Sequence, residues 1–138
     1  MDKMKLTVNA LPINESFARS VIAAFAARIN PTMDVLNDVK TAVSEGVTNA
    51  IVHGYEGHPE GEIYLEAWFE EETLFVKIRD EGVGISDVSE AMKDFFTTRP
   101  TEERSGLGFT IMQGFMDRLD VVSEVGKGTE VTMCKKLR

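Results

Sequence analysis

Residues 62–85 read EIYLEAWFEEETLFVKIRDEGVGI. EIYLEAWF and TLFVKIRD each alternate apolar and polar residues, the period of a strand with one buried face, and the acidic run Glu70-Glu71-Glu72 between them predicts a hairpin turn. The second strand ends on Asp80 and runs straight into Glu81-Gly82-Val83-Gly84-Ile85, where two glycines let the backbone turn tightly. An Asp at a strand end beside glycines can accept a hydrogen bond from an exocyclic amino group while leaving room for a planar ring. An ordinary glycine turn has the same composition.

Working back toward the N-terminus, YEGHPEG has turn composition. Before it lies a helical stretch that starts after Thr32 or Asp34. It carries Leu36, Val39, Val43, Val47 and Ala50 on one stripe and stops at Gly54. Within it, SEGVTNAIVHG (residues 44–54) spaces Glu45, Asn49 and His53 four apart, so each lies about 40° round from the last on one flank. Glu45 and Asn49 fall about 180° and 220° from Leu36, away from the core stripe. Two such surface residues one turn apart often interact only with each other. Gly46 argues for more: in mid-helix it costs about 1 kcal/mol relative to Ala and signals close approach of another group, for which a ligand is one explanation. Further upstream, INESFARSVIAAFAARI predicts a helix capped by Asn14 and ending near Asn30-Pro31, with Phe17, Val21, Ala24 and Phe25 as its core stripe. Arg19, Ala23 and Ala26, with Ile22 alongside, lie opposite, so this helix is apolar round most of its girth and either is buried twice or meets a partner protein. Met4, Leu6 and Val8 alternate with polar neighbours in a first short strand.

Downstream, residues 87–94 predict a short helix, and FFTTRPTEERSG (residues 95–106) has no period and reads as a mobile loop. GLGFTIMQGFMDRL resumes helical spacing. SGLGF (residues 105–109) would open that helix with small residues, and unpaired N–H groups at a helix start can hold an anion. A flexible helix start would look the same, and no Lys-Ser or Lys-Thr follows the glycines as a P-loop requires. DVVSEV and TEVTMCKK pair as a closing hairpin across Gly126-Lys127-Gly128. The order β, α, α, β, β, α, α, β, β predicts an α/β (α+β) two-layer sandwich over residues 1–138, a single domain with a mostly antiparallel sheet and helices on one face.

Composition narrows the function. With 138 residues and 43% hydrophobic content the chain can bury a real core. Fifteen basic against 23 acidic residues leave a net charge of −8, which repels a phosphate backbone, so nucleic acid is not the expected partner. The longest apolar run, VIAAFAA (residues 21–27), falls short of the roughly 20 residues of a membrane span. MDKMKLTVNALP lacks the hydrophobic stretch of a secretory signal, and the cytoplasm is the expected location. Cys134, the single cysteine, cannot form an internal disulfide and reads as a small apolar strand residue.

ExxxN on a helix, DxGxG after a strand and GxG at a helix start, in that order and roughly 30 and 25 residues apart, together resemble the GHKL family of ATPases and kinases. NESFAR, VSEGVTNAIVHGY, IRDEGVGI, FTT-P-ER-SG-GFTIM and SEVGKGT are similar to segments of its small bacterial anti-sigma serine kinases, of the sporulation type, along essentially the whole chain. The resemblance implies ATP and Mg²⁺ as cofactors. It assigns Asn49 to the metal and nucleotide and Glu45 to the catalytic base. Asp80 with Gly82 and Gly84 would read adenine, supported by Thr129, and Ser105, Gly106, Leu107, Gly108 and Phe109 would hold phosphates under a lid. Arg104 is the candidate for meeting the γ-phosphate, and Arg19 the candidate for partner contact. A sigma factor of the sigma F kind, an anti-anti-sigma protein phosphorylated on serine, and a homodimer are the partners implied. A stress-response kinase of the same family, a nucleotide-dependent binding module without kinase activity and a detached sensor-kinase domain are the alternatives. Only His53 and His58 are present, no helical hairpin offers a phosphoacceptor histidine, and His53 reads as structural.

Overall fold

The structure, a computed structural model, describes residues 2–92 and the backbone of residues 100–138, with side chains from residue 108 onward in that second stretch. The elements run β1 (Lys3–Asn9), α1 (Ile13–Ala26) with a 3₁₀ turn (Ala27–Ile29), and α2 (Met33–Asn49) with a π-helical turn (Ala50–Gly54). They continue with β2 (Glu62–Glu70), β3 (Thr73–Asp80), α3 (Val88–Ala91), α4 (Pro100–Phe115), β4 (Arg118–Glu124) and β5 (Gly128–Lys136). The five strands form one sheet in the order β1-β2-β3-β5-β4, and every neighbouring pair is antiparallel. This is the predicted α+β sandwich.

The hairpin that decides it forms in the expected register, with Glu70 opposite Thr73 and Leu65 opposite Ile78. Ile63, Leu65 and Ala67 on β2 and Leu74, Val76 and Ile78 on β3 are buried under the helices. A one-residue slip would turn all six outward, and burial of each large side chain is worth about 1.5–3 kcal/mol against about 0.2–1 for a cross-strand pair. Burial therefore sets the register. Glu71 takes the turn's left-handed position, with φ 56°.

Thr32 is the N-cap of α2, its hydroxyl oxygen accepting the Val35 N–H at 3.2 Å, while Asp34 sits in the first turn, where the helix dipole favours an anion. Val39, Val43, Val47 and Ala50 of the expected stripe are buried, with Ala42 beside them, while Leu36 is half-buried. Helix α1 departs from expectation in two ways. Pro12, not Asn14, is its N-cap residue, and the Asn14 side chain instead donates to the Asn9 carbonyl at 2.9 Å. Its core face is Ala18, Ile22, Phe25 and Ala26, while Phe17 is 51% exposed and Ala24 lies at the surface. Because α1 is apolar nearly all round, its sequence is compatible with several rotations. The small residues Ala18 and Ala26 turn inward because they let α1 and α2 approach closely.

Three further boundaries are corrected. Residues 100–106, read as loop, are the first part of α4, while residues 95–99 of that reading lie outside the described residues. Of the 87–94 helix, Val88–Ala91 is helical, capped by Asp87, whose carboxylate accepts the Glu90 N–H at 3.0 Å; residues 93 and 94 are outside the described residues. At its other end α4 stops at Phe115, so Arg118 and Leu119 of the GLGFTIMQGFMDRL stretch belong to β4. Cys134 is not core filler either. It lies half-buried on the sheet's open face, opposite Phe75 and Arg118 in register, and burial pushes its thiol pKa up.

Candidate functional site

The site is built where α2 ends against β3. The last turn of α2 widens into a π turn closed by the Tyr55 N–H to the Ala50 carbonyl at 2.9 Å. Such turns re-aim a helix end. This one carries Gly54 onto the strand end so closely that a Cβ there would stand 2.7–2.9 Å from the Asp80 carboxylate. The Gly54 carbonyl accepts the Val83 N–H at 2.9 Å and occupies the place a Gly82 side chain would need, 2.0 Å away.

Asp80 is 6% exposed and is the one buried charged residue among the described residues. Its Oδ1 accepts the Gly82 N–H at 2.9 Å, and the backbone N–H of its β5 partner Thr129 also bonds the carboxylate. Burial raises its pKa; the two N–H groups and the neighbouring Arg79 charge oppose that rise without cancelling it. An ionised carboxylate offers about four acceptor sites, so two backbone donors leave capacity for a ligand donor.

The tight turn expected of DEGVGI is seen at Gly84, and both glycines also let the chain pass close to other backbone. Gly82 makes way for the Gly54 carbonyl. Gly84, at φ 77°, makes way for the Glu124 carbonyl, 2.1 Å from where its Cβ would be. They close the corner by backbone contact. Thr129 supports Asp80 through its main chain, because its hydroxyl is engaged 2.7 Å from the Ser123 hydroxyl. Ser123 in turn accepts the Ile85 N–H at 2.7 Å and donates to the Gly128 carbonyl at 3.0 Å.

At the other end stands Asn49. A Cβ at Gly108 of α4 would lie 3.0 Å from both the nitrogen and the oxygen of its amide, and among the described residues the buried amide nitrogen has no hydrogen-bond partner. An orphaned buried donor costs about 1–3 kcal/mol, which makes the position a candidate for a ligand partner. The close approach that Gly46 signals is made by core side chains, with Ile78 Cδ1 2.6 Å and the Met112 sulfur 3.6 Å from its missing Cβ, and Gly46 also borders the space between Asn49 and Asp80. The helix-start cradle at residues 105–109 needs the larger correction. Since α4 begins at Pro100, the amides of Gly106 to Phe109 lie inside a helix and not in its first turn. Phe109 is a core residue, 2% exposed. The side chains of Arg104, Ser105 and Leu107 lie outside the described residues.

Between these ends runs a partly open cleft. Ala50, Ile78, Ile85, Phe109 and Val131 form apolar walls, and Asn49, His53, Asp80 and Thr129 are the polar groups. An apolar cleft with a few fixed polar groups is the usual form of a small-molecule site. Gly84 also lines it; Glu45, one turn before Asn49 and half-buried, does not.

The chain matches the Histidine kinase-like ATPase domain family over residues 8–135. It is 52% identical over 136 residues to the anti-sigma F factor of Bacillus cytotoxicus, covering 99% of this chain and 93% of that protein. It is equally 52% identical to the anti-sigma F factor of Geobacillus sp., over 134 residues, 97% of this chain and 92% of that protein. The chain belongs to the anti-sigma F factor family. The crystal structure of the RsbU and RsbW domains of Rv1364c from Mycobacterium tuberculosis shares its fold, with a TM-score of 0.72 at 18% identity over 99% of this chain and 33% of that one.

In this member of the anti-sigma F factor family, Arg19 lies on α1 and does not line the cleft. Its guanidinium pairs with Glu15 at 3.4 Å, and Glu15 accepts the Ser44 hydroxyl at 2.6 Å. Ser44 directly precedes Glu45 on α2. A polar chain therefore links the candidate partner residue to the helix that carries the candidate base, and nothing in the spacing of residues 15, 19 and 44 foretells it. Tyr55, Ile78, Ile85 and Val131 were also missed. Three of them read simply as apolar strand or turn residues, and only the fold brings them round one space.

Proposed function

We propose that the chain is an ATP-dependent anti-sigma factor. It binds and inhibits a sporulation sigma factor of the sigma F kind and phosphorylates a serine of an anti-anti-sigma protein. One observation carries the reading: a buried Asn49 amide nitrogen with no hydrogen-bond partner among the described residues stands at one end of an apolar cleft whose other end is a buried, backbone-held Asp80. A nucleotide supplies what each end lacks, an amino group for Asp80 and phosphate and metal for Asn49.

Asp80 accepts from the adenine amino group while Ile78, Ile85, Phe109 and Val131 shield the ring from water. The Asn49 side-chain oxygen would be the ligand this chain offers to a Mg²⁺ that is held mainly by the phosphates and water, and its nitrogen would donate to a phosphate. When bound, the metal neutralises charge on the phosphates. Gly108 leaves Asn49 the space it uses. Arg104, with Ser105, Gly106 and Leu107, is the side from which positive charge and the lid meet the γ-phosphate. Glu45 takes the proton from the substrate serine as its oxygen bonds phosphorus and the bond to ADP breaks. Arg19 contacts the protein partners, and the family resemblance adds a homodimer.

The test is transfer from γ-labelled ATP to an anti-anti-sigma protein in the presence of Mg²⁺. An acid-stable phosphoprotein is the expected product. Acid-labile label would mean histidine transfer, and no label with sigma binding intact would mean a nucleotide-dependent binding module; either sinks the kinase assignment.

A further inference from the structure

The Asp80 carboxylate is aimed by its neighbours in the chain. Its Oδ1 holds the Gly82 N–H, so its orientation follows the position of residues 81–83. Three groups set that position: the Gly126 N–H donates to the Val83 carbonyl at 2.8 Å, and the other two come from one dipeptide at the end of the π turn. The Gly54 carbonyl takes the Val83 N–H at 2.9 Å, and the Tyr55 hydroxyl takes the Glu81 N–H at 2.7 Å. Tyr55 is itself fixed. Its hydroxyl donates to the Glu62 carbonyl at 2.5 Å, at the start of β2, and its ring lies against Gly61 so closely that a Cβ there would stand 2.5 Å from it. A phenol that both donates and accepts must be neutral, and burial raises its pKa, holding it so at neutral pH.

We propose that Tyr55 is the positioning residue for base recognition: tethered between β2 and the end of α2, its hydroxyl fixes the main chain after Asp80 and so aims the carboxylate at the purine amino group. The inference rests on the reading of Asp80 given above. Other contacts of Glu81, with Tyr64 at 3.2 Å and Arg79 at 3.3 Å, hold only its side chain. Without the Tyr55 hydroxyl, residues 81–83 are held only at Val83, by the Gly54 carbonyl and by the Gly126 N–H at 2.8 Å, and residues 81 and 82 can pivot about it.

The experiment compares affinities for ATP and for purine riboside triphosphate, which lacks the 6-amino group, by calorimetry on the full chain. In the wild type a donor meeting a buried carboxylate should favour ATP by about 10- to 100-fold. Tyr55→Phe keeps the ring and removes the hydroxyl. It should cut that preference at least about fivefold while the affinity for purine riboside triphosphate stays within about twofold. Gly61→Ala displaces the ring without removing the hydroxyl and should lower the preference too; it carries the test should Tyr55→Phe not fold. A merely structural Tyr55 would lower both affinities, or the melting temperature, with the preference intact, and that result overturns the proposal. A wild type with no preference removes the Asp80 reading, and this inference with it. A wild-type preference that persists in both variants removes this inference alone.

Discussion

Replacing Gly54 with Ala puts a methyl group where the Asp80 carboxylate now lies. The added Cβ would stand 2.7 Å from the carboxylate carbon, and ordinary contact begins at 3.4 Å, so the carboxylate must retreat by 3.4 minus 2.7, or 0.7 Å. Added to the 2.9 Å bond from Gly82, that movement leaves no hydrogen bond there. A hydrogen bond to a charged group is worth about 1.5–3 kcal/mol, whereas Ala gains about 1 kcal/mol over Gly in a helical turn. The expected net loss is about 0.5–2 kcal/mol, seen in urea unfolding as a midpoint lowered by about 0.25–1 M. Nucleotide affinity should fall about tenfold or more in the same variant, because the displaced group is the one proposed to read the base. Gly114→Ala is the control, since no atom lies within 4 Å of the Cβ site on this exposed residue of α4, and it should stabilise by about 0.5–1 kcal/mol. If Gly54→Ala unfolds at the wild-type midpoint or later and binds ATP unchanged, the close contact between the helix end and Asp80 does not govern the site.

The Asp80 pKa is raised by burial, so this group's contribution to stability is fully present below its unfolded pKa and is lost as pH rises through its folded pKa. Asp80→Asn, which cannot ionise, should gain on the wild type in urea midpoint as pH rises through that window while losing ATP affinity; a gap that does not change with pH would contradict the burial argument. Ser44→Ala removes the 2.6 Å bond to Glu15 and should cost about 1 kcal/mol. It should also weaken sigma-factor capture through Arg19 and leave ATP affinity unchanged in binding assays. Glu45→Gln should retain ATP binding yet lose phosphoryl transfer, and unchanged transfer would remove the proton-acceptor role. Asn49→Ala should weaken Mg²⁺-dependent nucleotide binding, and calorimetry showing no loss would contradict that assignment.

The strands were legible because each buries one face, and that demand writes a period of two directly into residues 62–80. The cap at Thr32 and the stop at Gly54 were legible for a similar local reason, since helix ends need particular side chains or none. Helix α1 was not. With Phe17, Ala18, Val21, Ile22, Phe25 and Ala26 all apolar, its pattern names no single face, and packing against α2 chose Ala18 and Ile22 over Phe17. The start of α4 was missed because Thr101-Glu102-Glu103-Arg104 has no apolar period, although Pro100 is a residue favoured at a first helical position.

Residue types and local spacing determined where the helices and strands fall, that the sheet is antiparallel, and that Asn49 and Asp80 are the polar ends worth watching, because these follow from contacts made within a few residues of chain. The tertiary structure decided what each glycine is for, which face of α1 stays exposed, and that Tyr55, Gly54 and Asp80 form one unit. Those outcomes depend on which backbone passes within 3 Å of which, a distance set by the packing of α2 and α4 on β3 and carried by no local pattern.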